Sequence, residues 1–434
     1  MKDFSGGSGG NAAAVAEIQG LYGPFSFPEK LLQQIWQRGD FDMHAARTTD
    51  GRVVEVLQPG RWNLLGGPDF KGARLRIGGV LMTGDVEMHL RAADWRAHGH
   101  AADAAYANVV LHVVLFPGAD QLTSGVGGRA IPVLSLLPLL RHDLEEYAAD
   151  AAVERLANHP LARADEALAA MSLADLRAEL ARHAEARWEQ KVRYARIRVE
   201  RLGWESACHH TALEILGYRA NRAPMLALAT AFPLESWRKA ASIKTEDSTA
   251  AWLSEVVGGA ESANRWETQG VRPANHPKTR LGQYLRWIEA VPAWPEQLAA
   301  MARSVGAEPG SAAQHAPTAD VRKQWGFNQW RERFSEQCCG GAIGGPRLDT
   351  LACDGFWPLL AALEPARAVE FAVYWRHWFS GDVPDKWTKL LRGLGAVGGR
   401  AWPLSHGAVQ GLLGWLLSEE KKQNSGSSRE GRGT

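Results

Sequence analysis

Residues Gly66–Phe116 read GGPDFKGARLRIGGVLMTGDVEMHLRAADWRAHGHAADAAYANVVLHVVLF. Ala73, Leu75 and Ile77 alternate with Arg74 and Arg76, the period of a half-buried strand. Gly78-Gly79 then signals a hairpin. Gly84 to Leu90 alternates again, with Val86, Met88 and Leu90 on one face and Asp85, Glu87 and His89 on the other. Ala101 to Tyr106 suits a short helix, and the β-branched run Val109 to Phe116 suits a buried strand. Strand, strand with an acidic triplet, short helix, strand: this order predicts a small mixed sheet.

Upstream, residues 1–20 carry SGGSGG and then AAAVAE, a composition expected of a flexible arm. Pro28 opens a short amphipathic helix with Leu31, Leu32, Ile35 and Trp36 on one face and Gly39 as its stop. Arg52 to Leu57 reads as a strand, Gly60 to Pro68 as a turn, and Arg129 to Leu136 as a further strand. From about Arg141 the composition shifts to Ala, Leu, Glu and Arg. Ser172 and Asp175 resemble a capping box opening a helix to about Leu202. Helices are expected over 204–216, 223–231, 280–288, 320–335, 353–363, 366–379, 385–394 and 405–417, and residues 419–434 are expected to be a disordered tail. The predicted organisation is an arm (1–20), an α/β domain (21–140), an all-α domain (141–418) and the tail.

Composition narrows the function classes. A net charge of +1 gives no global electrostatic case for nucleic acid, so any such case rests on local patches. Four cysteines in 434 residues argue against a disulfide scaffold and fit a reducing cytoplasm. The beginning of the sequence shows no basic region followed by an apolar run, so no signal peptide is expected, and no apolar stretch nears the ~20 residues of a membrane span. Eighteen tryptophans point to large aromatic cores.

The chemistry sits in the opening stretch. Two carboxylates on neighbouring strands can hold Mg²⁺ or Mn²⁺, which take oxygen ligands and keep several waters for a phosphate substrate to displace. Asp69 stands at the mouth of its strand and Glu87 mid-strand on the next, each about nine residues from the Gly78-Gly79 turn, so hairpin pairing sets them roughly opposite. Asp85 and His89 share the face of Glu87. The competing reading is a set of solvated or structural carboxylates. His98, His100 and Asp103 follow closely and can reach phosphate or a second ion, and a zinc-dependent hydrolase using His89, His98 and His100 is the sharper alternative. His112 reads as a buried strand residue.

Pro68-Asp69 and Glu87-Met88-His89, behind the helix at 28–38, resemble the core of the PD-(D/E)XK phosphodiesterase superfamily. That resemblance implies an α-β-β-β-α-β core, a metal held by Asp69 and Glu87, and His89 in the place the family gives to Lys. It implies a nuclease, or an inactive nuclease-like scaffold that binds nucleic acid or a partner protein. Over most of its length the chain also resembles an uncharacterised bacterial family catalogued as domain of unknown function 2851. The segments that carry this are LLQQIWQRGDFD, TDGRVVEVLQPGRWNLLGGPDFKGARLRIGG, GDVEMHLRAADWRAHGHAADAAYANVVLHVVL, RLGWESACHHTALEILGYRANRAPMLALA and RPANHPKTRLGQ.

In the helical part, Arg187, Lys191, Arg193, Arg196 and Arg198 form basic stripes able to track a phosphate backbone, against the plainer reading of a solvated helix face. Cys208-His209-His210 and Cys338-Cys339 raise a metal question, but neighbours on a helix face different ways. GGAIGG at 340–345 lacks the Lys-Ser/Thr of a phosphate loop.

Overall fold

The computed structural model describes residues 15–20, 23–64, 66–119, 121–158, 162–218, 221–242, 252, 266–269, 271–304 and 316–430. The chain divides into two compact units, 1–148 and 149–434. The first is a mixed sheet with one long helix, and the second is helical.

In the first unit, strands β1 (Val15–Gly20) and β2 (Gly23–Pro28) form a separate antiparallel hairpin. Residues 15–20, expected in a flexible arm, are therefore a paired strand, and residues 1–14 lie outside the described set. Helix α1 (Glu29–Arg38) follows Pro28 directly, buries Leu31, Leu32, Ile35 and Trp36, and ends on Gly39 in the left-handed region at φ 63°. Its apolar spacing and its Gly stop are the features that predicted it.

The main sheet contains β3 (Val54–Gln58), β4 (Arg61–Trp62), β5 (Phe70–Ile77), β6 (Val80–Arg91), β7 (Val109–Phe116), β8 (Leu122–Ser124) and β9 (Ala130–Ser135). Their order is β3-β5-β6-β7-β9-β8, with β4 also on β5. β3, β5 and β6 are antiparallel, β7 runs parallel to β6 and to β9, and β8 closes antiparallel on β9. On β5 the inward Phe70, Ala73, Leu75 and Ile77 are buried while Lys71 and Arg74 are exposed, a one-sided strand. Every residue of β6 from Gly84 to Leu90, and of β7 from Val109 to Leu115, is buried. Strands with parallel neighbours are covered on both faces, which explains the unbroken apolar run of β7. It also means that the polar residues on β6 are interior.

Between β6 and β7 lie helix α2 (Asp94–Ala97) and two short 3₁₀ turns, His100–Ala102 and Ala104–Tyr106, in place of the single short helix expected at 101–106. Gly99, at φ 72°, separates α2 from the first turn.

In the helical unit, α3 (Leu173–Leu202) starts where Ser172 Oγ accepts the Asp175 N–H at 3.2 Å. It crosses the helix His406–Glu430 closely: a Cβ on Gly411 would meet the Leu180 carbonyl, and one on Gly414 would lie 3.1 Å from His183 Cβ. That last helix runs through residues 419–430, expected as tail. Trp237, Trp287, Trp294, Trp357, Trp375 and Trp378 are fully buried here, so the tryptophan load fills the core. No described helix is long and apolar enough to cross a membrane.

Gly84 stands where β6 passes from its antiparallel to its parallel partner. A Cβ there would lie 2.6 Å from the Asn108 carbonyl and against Val110 Cγ1. Gly84→Ala is expected to destabilise the first unit by about 1–3 kcal/mol through overpacking. Denaturant midpoints measure this, and an unchanged midpoint would show that the β6–β7 approach is looser than described.

Candidate metal centre

The site begins with a turn and a register shift. Gly78 and Gly79 adopt φ 57° and 84°, the conformation a two-residue type I′ hairpin requires, and Ile77 pairs with Val80. An unbroken ladder from this turn would set Asp69 opposite Met88. The ladder is broken instead: Ala73 pairs with Gly84, but Phe70 pairs with Val86. Gly72, at φ 68°, sits in the bulge and donates its N–H to Asp85 Oδ1 at 3.0 Å. One extra residue on β5 thus brings Asp69 level with Glu87. Asp85 holds this bulge, a structural use of a residue considered as an accessory ligand.

The two carboxylates are locked together through backbone. Asp69 N–H donates to Glu87 Oε2 at 3.0 Å, and Met88 N–H donates to Asp69 Oδ2 at 3.1 Å. Gln33 on α1 donates from Nε2 to Asp69 Oδ1 at 2.8 Å. Four residues before Gln33, on the same helix face, is Glu29. Its Oε2 is buried without a hydrogen-bond partner among the described residues. Sequence reading passed over Glu29 and Gln33. Their i, i+4 spacing put them on one face, but only the packing of α1 shows that this face meets Asp69.

Burial raises all three acids, and neighbouring carboxylates add to the rise in Asp69 and Glu29. Burial and then Glu87 push the Asp69 carboxyl up to about 8, against the hydrogen bonds from Gln33 and Met88. Burial lifts Glu87 to about 8. Glu29 also rises to about 8, from burial first and then from Asp69, Glu87 and Asp94. Each is costly as an isolated anion in this environment, and a bound cation removes that cost.

Beyond Glu87 the same strand face carries His89, only 1% exposed. His89 Nδ1 lies 2.9 Å from His112 Nε2 on β7, and His112 Nδ1 lies 2.7 Å from Thr123 Oγ1. On its other side, His89 Nε2 meets His98 Nδ1 at 3.2 Å and His100 Nε2 at 3.3 Å. Glu87 Oε1 is 3.6 Å from His89 Nε2 and 3.4 Å from His100 Nε2. Tyr106 stacks on His100 at 3.8 Å, and the Trp95 ring stands 5.2 Å from His112, walling the imidazoles. Burial, then the neighbouring imidazoles, hold His89 at about 2, and burial holds His112 at about 3. His100 is also lowered by burial, against an opposing pull from Asp103. His89 is therefore neutral near pH 7. It can ligate there, but it cannot supply the positive charge that a Lys would. Asp103 accepts the Ala105 N–H at 2.8 Å and caps the second 3₁₀ turn.

The other candidates lie in the helical unit. Arg187 bonds Gln410 at 3.1 Å and Gln190 at 3.0 Å, Lys191 pairs with Asp354 at 2.7 Å, and Arg198 pairs with Glu214 at 2.6 Å. These three residues of α3 are held by internal partners, while Arg196 is exposed. His209 is buried between Tyr284 Oη (2.7 Å) and the Phe232 carbonyl (3.0 Å), and Cys208, Cys338, Cys339 and Cys353 are free thiols in the core. Gly345–Leu351 is a short helix, with Gly344 extended at its start.

Residues 29–258, more than half of the chain, match a family model described as Protein of unknown function (DUF2851). No curated protein and no solved structure matches the chain.

The raised carboxyls set a pH dependence. A carboxyl whose folded pKa lies above its unfolded value stabilises fully only below the unfolded value, and that contribution is lost as pH rises through the folded one. For Asp69 the window runs from its ordinary 3.8 to about 8. In chelator-treated protein, Asp69→Asn should therefore raise the melting temperature over wild type, and by more near pH 8 than near pH 5. Thermal melts across this range test it, and a difference that is flat or shrinks with pH would contradict the burial of Asp69's charge.

Proposed function

The chain belongs to the DUF2851 family, and we propose that it is a divalent-metal-dependent phosphodiesterase with a nuclease-like core, acting on DNA or RNA. The observation that carries this reading is the pairing of Asp69 and Glu87 across the β5–β6 bulge, with Glu29 reaching the same place from α1. The donors are carboxylate oxygens, a set that suits hard Mg²⁺ or Mn²⁺. Asp69 and Glu87 would hold the ion, and Glu29, with a buried oxygen to spare, would be the third carboxylate. Such an ion lowers the pKa of a bound water and neutralises charge on a phosphoryl group.

The chain's own residues do the remainder. Gln33 and the Met88 amide fix the Asp69 carboxylate, and the Asp69 amide fixes Glu87. The bulge sets their spacing. Neutral His89, two residues past Glu87, offers a ring nitrogen that could ligate the ion. The element order α1, β3, β5, β6, short helical turns, β7 supports the reading, since it follows the α-β-β-β-α-β plan of the PD-(D/E)XK core.

Purified protein incubated with labelled single- and double-stranded DNA and RNA tests the proposal. Cleavage is expected with Mg²⁺ or Mn²⁺ and not with chelator. Asp69→Asn and Glu87→Gln should each lower it by more than the ~10–100-fold typical of outer-sphere partners, and Gln33→Ala should fall within that range. Cleavage that survives Glu87→Gln refutes the site, and binding without cleavage in wild type favours an inactive scaffold.

A further inference from the structure

We propose that the imidazoles of His89, His98 and His100, with Glu87 Oε1 alongside, form a second metal site that takes a zinc-class transition ion rather than Mg²⁺. The site shares Glu87 with the phosphodiesterase reading, but it stands on the imidazoles and survives if that reading fails.

Geometry makes the first argument. Ions with Zn–N bonds of about 2.0–2.1 Å in a tetrahedral shell set their ligand atoms about 3.3–3.4 Å apart. His89 Nε2 lies 3.2 Å from His98 Nδ1 and 3.3 Å from His100 Nε2. Glu87 Oε1 adds separations of 3.4 and 3.6 Å. The ring nitrogens of the three histidines all fall within 4.8 Å of one another.

Hydrogen-bond accounting makes the second. An imidazole nitrogen carries one proton or one lone pair, so it satisfies one in-plane partner. His89 Nε2 faces two imidazole nitrogens and a carboxylate oxygen. A cation among them satisfies every one.

The outer contacts make the third. If His112 Nδ1–H donates to Thr123 Oγ1, His112 Nε2 is the acceptor for His89 Nδ1–H, and His89 Nε2 is left with its lone pair toward the other two histidines. Metal-bound histidines are oriented in this way by a partner on the second nitrogen. The surroundings agree: His89 and His100 are buried behind Trp95 and Tyr106, whereas His98 is exposed and gives the site its opening. Imidazoles with a carboxylate suit zinc and its transition-metal neighbours, whereas Mg²⁺ prefers an all-oxygen shell.

The test uses the full chain, purified without chelator, with metal content measured by mass spectrometry. Roughly one zinc per chain is expected in wild type and in Asp69→Asn. In His98→Ala and His98→Gln the content should drop at least tenfold after dialysis. His98 is exposed, so neither change opens the core, and circular dichroism verifies the fold. After metal stripping, Co²⁺ should give the intense visible bands of tetrahedral coordination in wild type and not in the His98 variants. Zn²⁺, but not equimolar Mg²⁺, should raise the melting temperature of stripped wild type. Zinc content, cobalt spectrum and melting shift that are the same in wild type and His98 variants overturn the proposal. Loss of nuclease activity in Asp69→Asn with zinc retained leaves this site standing and separates it from the carboxylate centre.

Discussion

Two acids that share one buried corner repel each other and lose their water, and the first unit is arranged around that constraint. Asp69 and Glu87 meet because a single extra residue on β5, carried by Gly72, shifts the ladder by one. The same backbone that makes the shift also answers it: the amides of Asp69 and Met88 each donate to one of the two carboxylates. Those bonds offset part of the cost of burial and leave both carboxyls near 8. A protein with no use for the arrangement would be more stable with amides or apolar groups there. A cation bound between them, as proposed above, would remove the remaining cost.

The sheet topology explains why the polar face of β6 is interior. β6 is antiparallel to β5 and parallel to β7, so its central residues have neighbours on both edges and cover on both faces. His112 sits beside Glu87 in register, and the turns after β6 fold His98 and His100 back over the same face. Glu87 faces both groups, with Oε2 accepting from the Asp69 amide and Oε1 3.4 Å from His100 Nε2. Oxygen donors and nitrogen donors favour different cations, and this difference is what the two proposed sites rest on.

Much of this was legible in the residues. The Gly78-Gly79 hairpin, the alternation on β5, the run of β7, the Gly39 stop of α1 and the Ser172 cap each carry a local signal and form as read. What escaped depends on tertiary placement. Counting from the turn brought Asp69 near Glu87, but the bulge that sets them opposite leaves no mark beyond one glycine. Glu29 is an acidic first-turn residue with no signal of its own, and only the packing of α1 brings it near Asp69 and Glu87. Asp85 looked identical in kind to Glu87, yet it is spent on the bulge. The basic stripes on α3 were visible as a pattern, but helical periodicity cannot show that Arg187, Lys191 and Arg198 have partners on other helices. The strand at 15–20 was hidden by the low-complexity sequence before it.

Crystals soaked in Mn²⁺ and measured at its absorption edge show whether Asp69 and Glu87 hold a cation, since anomalous scattering locates the ion without any assumption about substrate. An anomalous peak is expected about 2.0–2.2 Å from carboxylate oxygens of both Asp69 and Glu87, a hard-cation bond length. A peak elsewhere, with these two carboxylates still bonded only to the Gln33, Met88 and Asp69 donors, would contradict it.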